Sequence, residues 1–156
     1  MAETLGSLVD KLSIKNLRLW HLDEDIEAKG SSHPDAAQLN ARRELVARQQ
    51  QDLVEEINAF LIAASQGKVK ILDEKIKLYQ NRNVESANAI VDMGQAVSEL
   101  SIRNIRLWHL EDQVRKAGIT DTEVVACKRQ IDTANQERND LMDKIDEILE
   151  KQVRGT

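Results

Sequence analysis

Apolar residues recur at intervals of three and four along most of the chain, which is the period of amphipathic helices rather than of strands. Four long segments show this pattern: residues 5–28, 35–65, 85–116 and 121–151. Gly30 and Gly118 are predicted to end the first and third helices, and Thr120 or Asp121 to cap the last one. Apolar positions between residues 68 and 80 predict a short connecting helix as well.

The segments at the beginning of each half are two copies of one sequence. At a constant offset, identical residues occur at Gly6/Gly94, Val9/Val97, Leu12/Leu100, Ser13/Ser101, Ile14/Ile102, Asn16/Asn104, Arg18/Arg106, Leu19/Leu107, Trp20/Trp108, His21/His109 and Leu22/Leu110. The same offset later aligns Gly30/Gly118, Asp52/Asp140, Leu53/Leu141, Ile57/Ile145 and Leu61/Leu149. The chain is therefore predicted to contain a duplicated helical hairpin.

Two hairpins that bury their apolar stripes against each other form a four-helix bundle. The predicted fold is all-α, with duplicated helical hairpins and an extra connecting helix in a single domain over residues 1–156. Repeat 1 covers about residues 5–66, the connecting helix about 68–84 and repeat 2 about 85–152. The pseudo-two-fold symmetry of such a bundle predicts similar environments for Trp20 and Trp108.

Charge and composition exclude several classes of protein. The net charge of −5 disfavours nucleic-acid binding, which needs a basic surplus. No apolar run is long enough to span a bilayer, and the N-terminus lacks the pattern of a signal peptide. Because Cys127 is the single cysteine, no internal disulfide is possible, and we expect a reducing compartment, the cytoplasm.

Polar residues interrupt the predicted inward faces in both hairpins. The helical wheel places them near the apolar stripes, and a ligand site built from them would use Asn16, Asp23, Asn104, Glu111, Asn135, Arg138 and Asp140. Buried polar groups are costly unless they are paired, so we expect Glu111 to contact Arg138 directly or through a water molecule, with Asn104 or Asn135 nearby. Two interpretations stay open: a network that fixes helix pairing, and a polar ligand pocket inside the bundle.

Other candidate chemistry is weaker. His21 lies one turn from Asp25, and His109 lies close to Asp112, but isolated His–acid pairs do not make a coordination sphere, so no metal or other cofactor is predicted. Cys127 is interpreted as a core residue because no base lies near it in the sequence pattern.

The first helix carries two further surfaces. Lys11, Lys15 and Arg18 gather on one side, where they form a solvated face or a shallow anion site. Asp10, Ile14 and Leu17 lie on another side, so this helix is apolar in more than one direction. We expect its second apolar surface to be covered by the connecting helix or by a second subunit, and therefore a homo-oligomer, most simply a dimer.

Several strings resemble a known bacterial family, the domain-of-unknown-function 4254 family. They are Trp108 to Asp112, Lys128 to Asp132, Asn135 to Leu141, Val9 to Ile14 and Leu19 to His21, with Lys77 to Tyr79 followed by Asn81 and Asn83. The two halves stand in the opposite order to that of the family, which implies a permuted or differently duplicated relative. The resemblance implies no defined activity, but it does imply an association with cell-surface polysaccharide and glycosyltransferase genes.

Two functions from different classes are consistent with these features. The first is a non-catalytic helical interaction or accessory protein, linked to bacterial cell-surface polysaccharide synthesis if the resemblance extends that far. The alternative is a protein or enzyme that binds a nucleotide, nucleotide sugar or sugar phosphate at the polar positions. Phosphate-loop, zinc-protease and dinucleotide fingerprints are all absent from the sequence, so whether the protein is an enzyme stays open.

Overall fold

The computed structural model describes residues 3–72 and 89–155, and the regular structure in this part of the chain is α-helical throughout. The helices are α1 (Leu5–Lys29), α2 (Ala36–Ser65), α3 (Met93–Val114) and α4 (Asp121–Arg154). Hairpin 1 consists of α1 and α2, and hairpin 2 consists of α3 and α4. The all-α bundle predicted from the sequence is confirmed.

Helix ends follow the capping signals in the sequence. The Thr4 side chain accepts a hydrogen bond from the Ser7 amide at 3.3 Å and caps α1, which ends at Gly30 with φ of 78°. At the start of α4, the Thr120 hydroxyl accepts a hydrogen bond from the Glu123 amide, and the Glu123 carboxylate accepts one from the Thr120 amide. This pair is a capping box. The predicted stop at Gly30 and the predicted cap at Thr120 are therefore confirmed.

The region between the hairpins differs from the prediction at both of its ends. Residues 68–72 are not helical, and the rest of the predicted connecting helix, residues 73–84, lies outside the described residues. Residues 89–92 are not helical either, so α3 begins at Met93 and the prediction of helix over 89–92 was wrong. Asp92 is extended, and Ile90 is already buried in the core, so the chain enters the bundle before the helix starts.

The two hairpins share one apolar core, which lies where the N-terminal ends of α1 and α3 meet the C-terminal ends of α2 and α4. Its buried members are Leu5, Ala64, Ile71, Ile90, Ala96, Leu100, Leu141, Ile145, Ile148 and Leu149. A smaller cluster, Leu22, Leu39 and Val46, joins α1 to α2 farther along hairpin 1. Helix α1 also contacts both helices of hairpin 2, so it connects the two halves of the molecule.

A close approach of backbones fixes α1 on α4. A Cβ atom on Gly6 would lie 2.2 Å from the Met142 carbonyl oxygen, so this position leaves no room for a side chain. The Gly6 amide donates a 2.7 Å hydrogen bond to the buried Asp146 carboxylate, at the helix end where negative charge is favourable. Hairpin 2 thus covers this side of α1. Coverage of a second apolar surface by the connecting helix or by a second subunit stays a prediction.

Candidate functional site

The joint between the hairpins contains a buried carboxylate with two partners from hairpin 2. Asp10 on α1 is 5% exposed. Its Oδ1 atom accepts a 3.0 Å hydrogen bond from Asn104 Nδ2 on α3, and Arg138 Nε on α4 lies 3.5 Å from the same oxygen. Asp10 therefore draws side chains from three helices together, and Arg138 supplies the positive charge that a buried carboxylate needs.

A cleft of about 370 Å³ lies beside this cluster, between α1, α3 and α4. Its lining from α1 is mostly apolar, whereas hairpin 2 supplies most of the polar atoms. The residues that line it are Ile14, Leu17, Arg18, Asn104, Leu107, Trp108, Glu111, Asp112, Arg115, Asn135 and Arg138. A concave site with a few convergent polar groups on an apolar base is the usual form of a small-molecule site.

Trp108 is held in place from the α1 side. The His21 ring stacks on the Trp108 ring, with centroids 4.3 Å apart and planes inclined by 4°. His21 Nδ1 also lies 3.1 Å from Glu24 Oε2, so a carboxylate orients the imidazole. This stack fixes the indole that forms part of the cleft wall, and it links α1 to α3.

Charged side chains surround the mouth of the cleft. Arg18, Arg115, Glu111 and Asp112 are exposed. Within residues 3–72 and 89–155, none of these four side chains forms an ion pair or hydrogen bond with another part of the protein. Two guanidinium groups and two carboxylates are thus available to solvent around the cleft, with Arg138 deeper inside.

Four of the seven predicted site residues lie together in this cleft: Asn104, Glu111, Asn135 and Arg138. Asn104 is buried, Asn135 and Arg138 are half-buried, and Glu111 is exposed, so its predicted inward orientation was wrong. Glu111 and Arg138 line the same cleft. Arg138 pairs with Asp10, and no direct ion pair joins it to Glu111 within the described residues. A water-mediated contact between Glu111 and Arg138 stays a prediction.

The other three predicted residues are not part of the cleft. Asn16 is exposed and accepts a 2.7 Å hydrogen bond from Gln50. Asp23 is exposed and pairs with Arg43, and this hydrogen-bonded carboxylate raises the pKa of the Arg43 guanidinium. Asp140 is buried on α4 but does not line the cleft.

The errors on Asn16 and Asp23 have one cause. The helical wheel was centred on a single stripe, whereas α1 is covered by α2 on one side and by hairpin 2 on another. Both residues lie near the edge of the contact with α2, where water reaches them. Asp10 was missed as a member of the polar cluster, although its spacing from Gly6, Ile14 and Leu17 places all four on one helix face.

The remaining candidate groups make structural contacts. Cys127 is buried, and its Sγ atom lies 3.6 Å from Gln113 Oε1. Lys15 donates a hydrogen bond to Gln49 at 2.8 Å, and Lys11 pairs with Glu3. Within the described part of the chain, no group of His, Cys, Asp and Glu side chains is arranged to hold a metal ion.

None of the helices in the described ranges is both long and apolar enough to cross a bilayer.

Comparison with known proteins identifies the family of the chain. No curated protein and no solved structure matches the chain. A family described as "Protein of unknown function (DUF4254)" matches residues 1–72 and 94–156. Since these segments make up most of the sequence, the chain belongs to the DUF4254 family.

Proposed function

We propose that this protein binds a small phosphorylated ligand, a nucleotide sugar or sugar phosphate, in the cleft between α1, α3 and α4. The observation that carries the proposal is the convergence of Arg18, Arg115 and Arg138 with two exposed carboxylates around one concave site. Guanidinium groups bind phosphate through charge-assisted hydrogen bonds. The sugar hydroxyl groups of the ligand can form hydrogen bonds with the carboxylates and with Asn135 of the lining.

Each part of the cleft has a separate role in this proposal. Arg18 and Arg115 bind the phosphate at the mouth, because they are exposed and have no ion-pair partner in the described residues. Glu111 and Asp112 accept hydrogen bonds from sugar hydroxyls, and Asn135 offers both a donor and an acceptor. Trp108 provides an aromatic wall against which a sugar or base ring can pack.

The proposal is tested by thermal-shift titration and calorimetry with sugar phosphates, nucleotide sugars and free nucleotides. Arg115→Gln and Arg18→Gln should each weaken binding of a responding ligand about tenfold or more, since a hydrogen bond to a charged group contributes about 1.5–3 kcal/mol. Arg106→Gln is the matched control, because Arg106 is exposed on α3 at the position equivalent to Arg18 and does not line the cleft.

The variants also distinguish binding from folding. Urea unfolding of Arg115→Gln should match that of the unmodified protein, because this exposed side chain makes no ion pair in the described residues. A ligand that binds both arginine variants as tightly as the unmodified chain would place its site elsewhere. If none of the three ligand classes shifts the unfolding temperature, the proposal fails.

A second candidate is a non-catalytic interaction or accessory protein, and it is favoured by large apolar side chains that face solvent. Trp20, Ile102 and Ile105 are 66%, 47% and 42% exposed, and exposed apolar groups on neighbouring helices are typical of protein contacts. Self-association belongs to this candidate, as does the link to cell-surface polysaccharide synthesis that the family resemblance implies. A cytoplasmic location is proposed for both candidates, because the single cysteine suits a reducing compartment.

A photo-cross-linking residue in place of Trp20, introduced in cells, tests the second candidate. Adducts with an enzyme of polysaccharide synthesis would support the accessory role. Adducts with copies of the same chain alone would support self-association through this surface and would contradict docking of a synthesis enzyme there. The same residue in place of Val125, an exposed apolar residue on α4, is the control for chance contacts.

A further inference from the structure

The joint between the hairpins uses a different surface on each side. Hairpin 1 contributes the inserting face, which is one side of α1 and consists of Gly6, Asp10, Ile14, Leu17 and His21. Hairpin 2 contributes the receiving face, which is shared by α3 and α4 and consists of Asn104, Trp108, Arg138, Met142 and Asp146. Because the sequence repeats at a constant offset, each hairpin carries an equivalent of both faces. One equivalent of each face has no partner among residues 3–72 and 89–155, and it is called unused below.

The unused inserting face lies on α3. The residues equivalent to the inserting face of α1 are Gly94, Ser98, Ile102, Ile105 and His109, and all five are exposed. Their counterparts on α1 are buried or half-buried. Among the described residues, no atom outside the local backbone of α3 lies within 4 Å of the position that a Cβ on Gly94 would take, whereas Gly6 is in contact with the backbone of α4. This side of α3 therefore has the shape and apolar character of a helix contact, but no partner among the described residues.

The unused receiving face lies on hairpin 1. The equivalents of the residues that receive α1 are Asn16, Trp20, Gln50, Val54 and Asn58. Asn16, Trp20 and Asn58 are exposed, whereas their counterparts Asn104 and Asp146 are buried and Trp108 is half-buried. An open groove of about 310 Å³ runs between α1 and α3 on this side, with Asn16 and Trp20 on its α1 wall and Ile105 on its α3 wall.

The two unused faces both lack the charged group that the equivalent face of the joint carries. In the joint, Asp10 is paired with the positively charged Arg138. At the equivalent unused positions, Ser98 replaces the carboxylate and Gln50 replaces the guanidinium, so both charges are absent at once. A serine hydroxyl can hydrogen-bond with Gln50 and Asn16, and docking of these faces leaves no buried charge unpaired.

Two further contacts have equivalents on the unused faces. The Gly6 amide donates to the Asp146 carboxylate in the joint, and Asn58 has an amide oxygen that can accept from the Gly94 amide in the same way. The His21–Trp108 stack corresponds to His109 and Trp20, which are both exposed. Ile14 and Leu17 correspond to Ile102 and Ile105, so the apolar content is also retained.

We propose that a second copy of this chain docks through these two faces, with the inserting face of α3 in one copy packed on the receiving face of hairpin 1 in the other. The contact between copies would have the same form as the joint between hairpin 1 and hairpin 2 within each chain, and it would extend that interface from one copy to the next. Since the two faces differ, the contact is heterologous, and it generates a ring or an open array according to the rotation it imposes. The proposal does not depend on ligand binding in the cleft.

Sedimentation velocity over a range of protein concentrations tests this contact, using Ile102→Asp to disable the inserting face of α3 and Trp20→Asp to disable the receiving face. Both residues are exposed, so urea unfolding should show that each variant folds. The unmodified chain should assemble, and each variant alone should remain monomeric at concentrations at which the unmodified chain is assembled. Val125→Asp, an exposed apolar-to-acidic change on neither face, should assemble like the unmodified chain.

Mixing the two variants gives the most specific result. The Trp20→Asp chain retains an intact inserting face, and the Ile102→Asp chain retains an intact receiving face. Their mixture should therefore form a one-to-one complex joined by a single contact. A mixture that stays monomeric, an unmodified chain that is monomeric at high micromolar concentration, or single variants that assemble normally would each overturn the proposal.

Discussion

Contacts inside hairpin 1 are repeated inside hairpin 2, whereas contacts across the joint are not. Lys15 donates to Gln49 between α1 and α2, and at the equivalent positions Arg103 pairs with Glu137 between α3 and α4. Trp20, however, is 66% exposed, while Trp108 is half-buried and stacked on His21. The predicted similarity of the two tryptophan environments was therefore wrong. Each hairpin repeats this internal contact, but the two hairpins meet through different surfaces.

This difference indicates that the joint is heterologous. In an arrangement with a two-fold axis, α3 would contact hairpin 1 just as α1 contacts hairpin 2. Instead, Gly6 is in contact with α4, whereas Gly94 contacts no other helix in the described ranges. The candidate cleft depends on the same arrangement, since it is formed where α1 lies against α3 and α4.

The largest effect should come from removing the positive charge in the joint. Arg138→Met leaves the buried Asp10 carboxylate with Asn104 alone, and we expect a loss of about 3 kcal/mol in the free energy of unfolding, the lower end of the range for a buried charge left without its partner because Arg138 is partly exposed. Gln50→Met, the equivalent change in hairpin 1, should cost less than about 0.5 kcal/mol. Urea unfolding gives the free energy of unfolding of both variants, and the two losses can then be compared.

A double variant distinguishes an ion pair from a general packing loss. Asp10→Asn combined with Arg138→Met removes the lone charge, so part of the lost stability should return. If Arg138→Met costs no more than Gln50→Met, the pair with Asp10 contributes little, and Arg138 is then better explained as a ligand-binding group.

The next effect concerns the two glycines at equivalent helix positions. Gly6→Ala places a methyl group against the Met142 carbonyl and should destabilise the protein by about 1–3 kcal/mol. Gly94→Ala meets no neighbour among the described residues and should raise the stability by up to about 1 kcal/mol, because alanine is the better helix former. Urea unfolding at low protein concentration is the appropriate measurement, and equal effects of the two changes would contradict the asymmetric joint.

The fold could be predicted from the sequence because each step depended on local signals. Helical spacing gave the elements, and Gly30 and Thr120 gave two of their ends, as the structure confirms. The repeated sequence predicted the two hairpins, because each copy contains both helices of one hairpin in the same order. The start of α3 was missed because Ile90 is apolar for a reason of tertiary packing, not of helix periodicity.

The candidate site could be predicted only in part because it depends on how the hairpins meet. Asn104, Asn135 and Arg138 were found because they interrupt apolar stripes on hairpin 2. Asn16 and Asp23 carry the same sequence signal, but they pair with Gln50 and Arg43 of α2 at an exposed edge of hairpin 1. A duplicated sequence predicts two equivalent sites, and only the asymmetric docking of α1 determines which one becomes a cleft.

The smallest expected effect comes from replacing His21 or His109. Tryptophan fluorescence can show that the two side chains lie in different environments. In a Trp20→Phe background, Trp108 is the only tryptophan and reports on the joint alone. His21→Ala removes the ring stacked on it, so the indole becomes more hydrated, its emission should shift to longer wavelength, and stability should fall by about 1 kcal/mol. His109→Ala should change neither quantity at low protein concentration, because His109 is exposed on the open side of α3. An emission shift from His109→Ala that matches the shift from His21→Ala would mean that the two hairpins meet symmetrically after all.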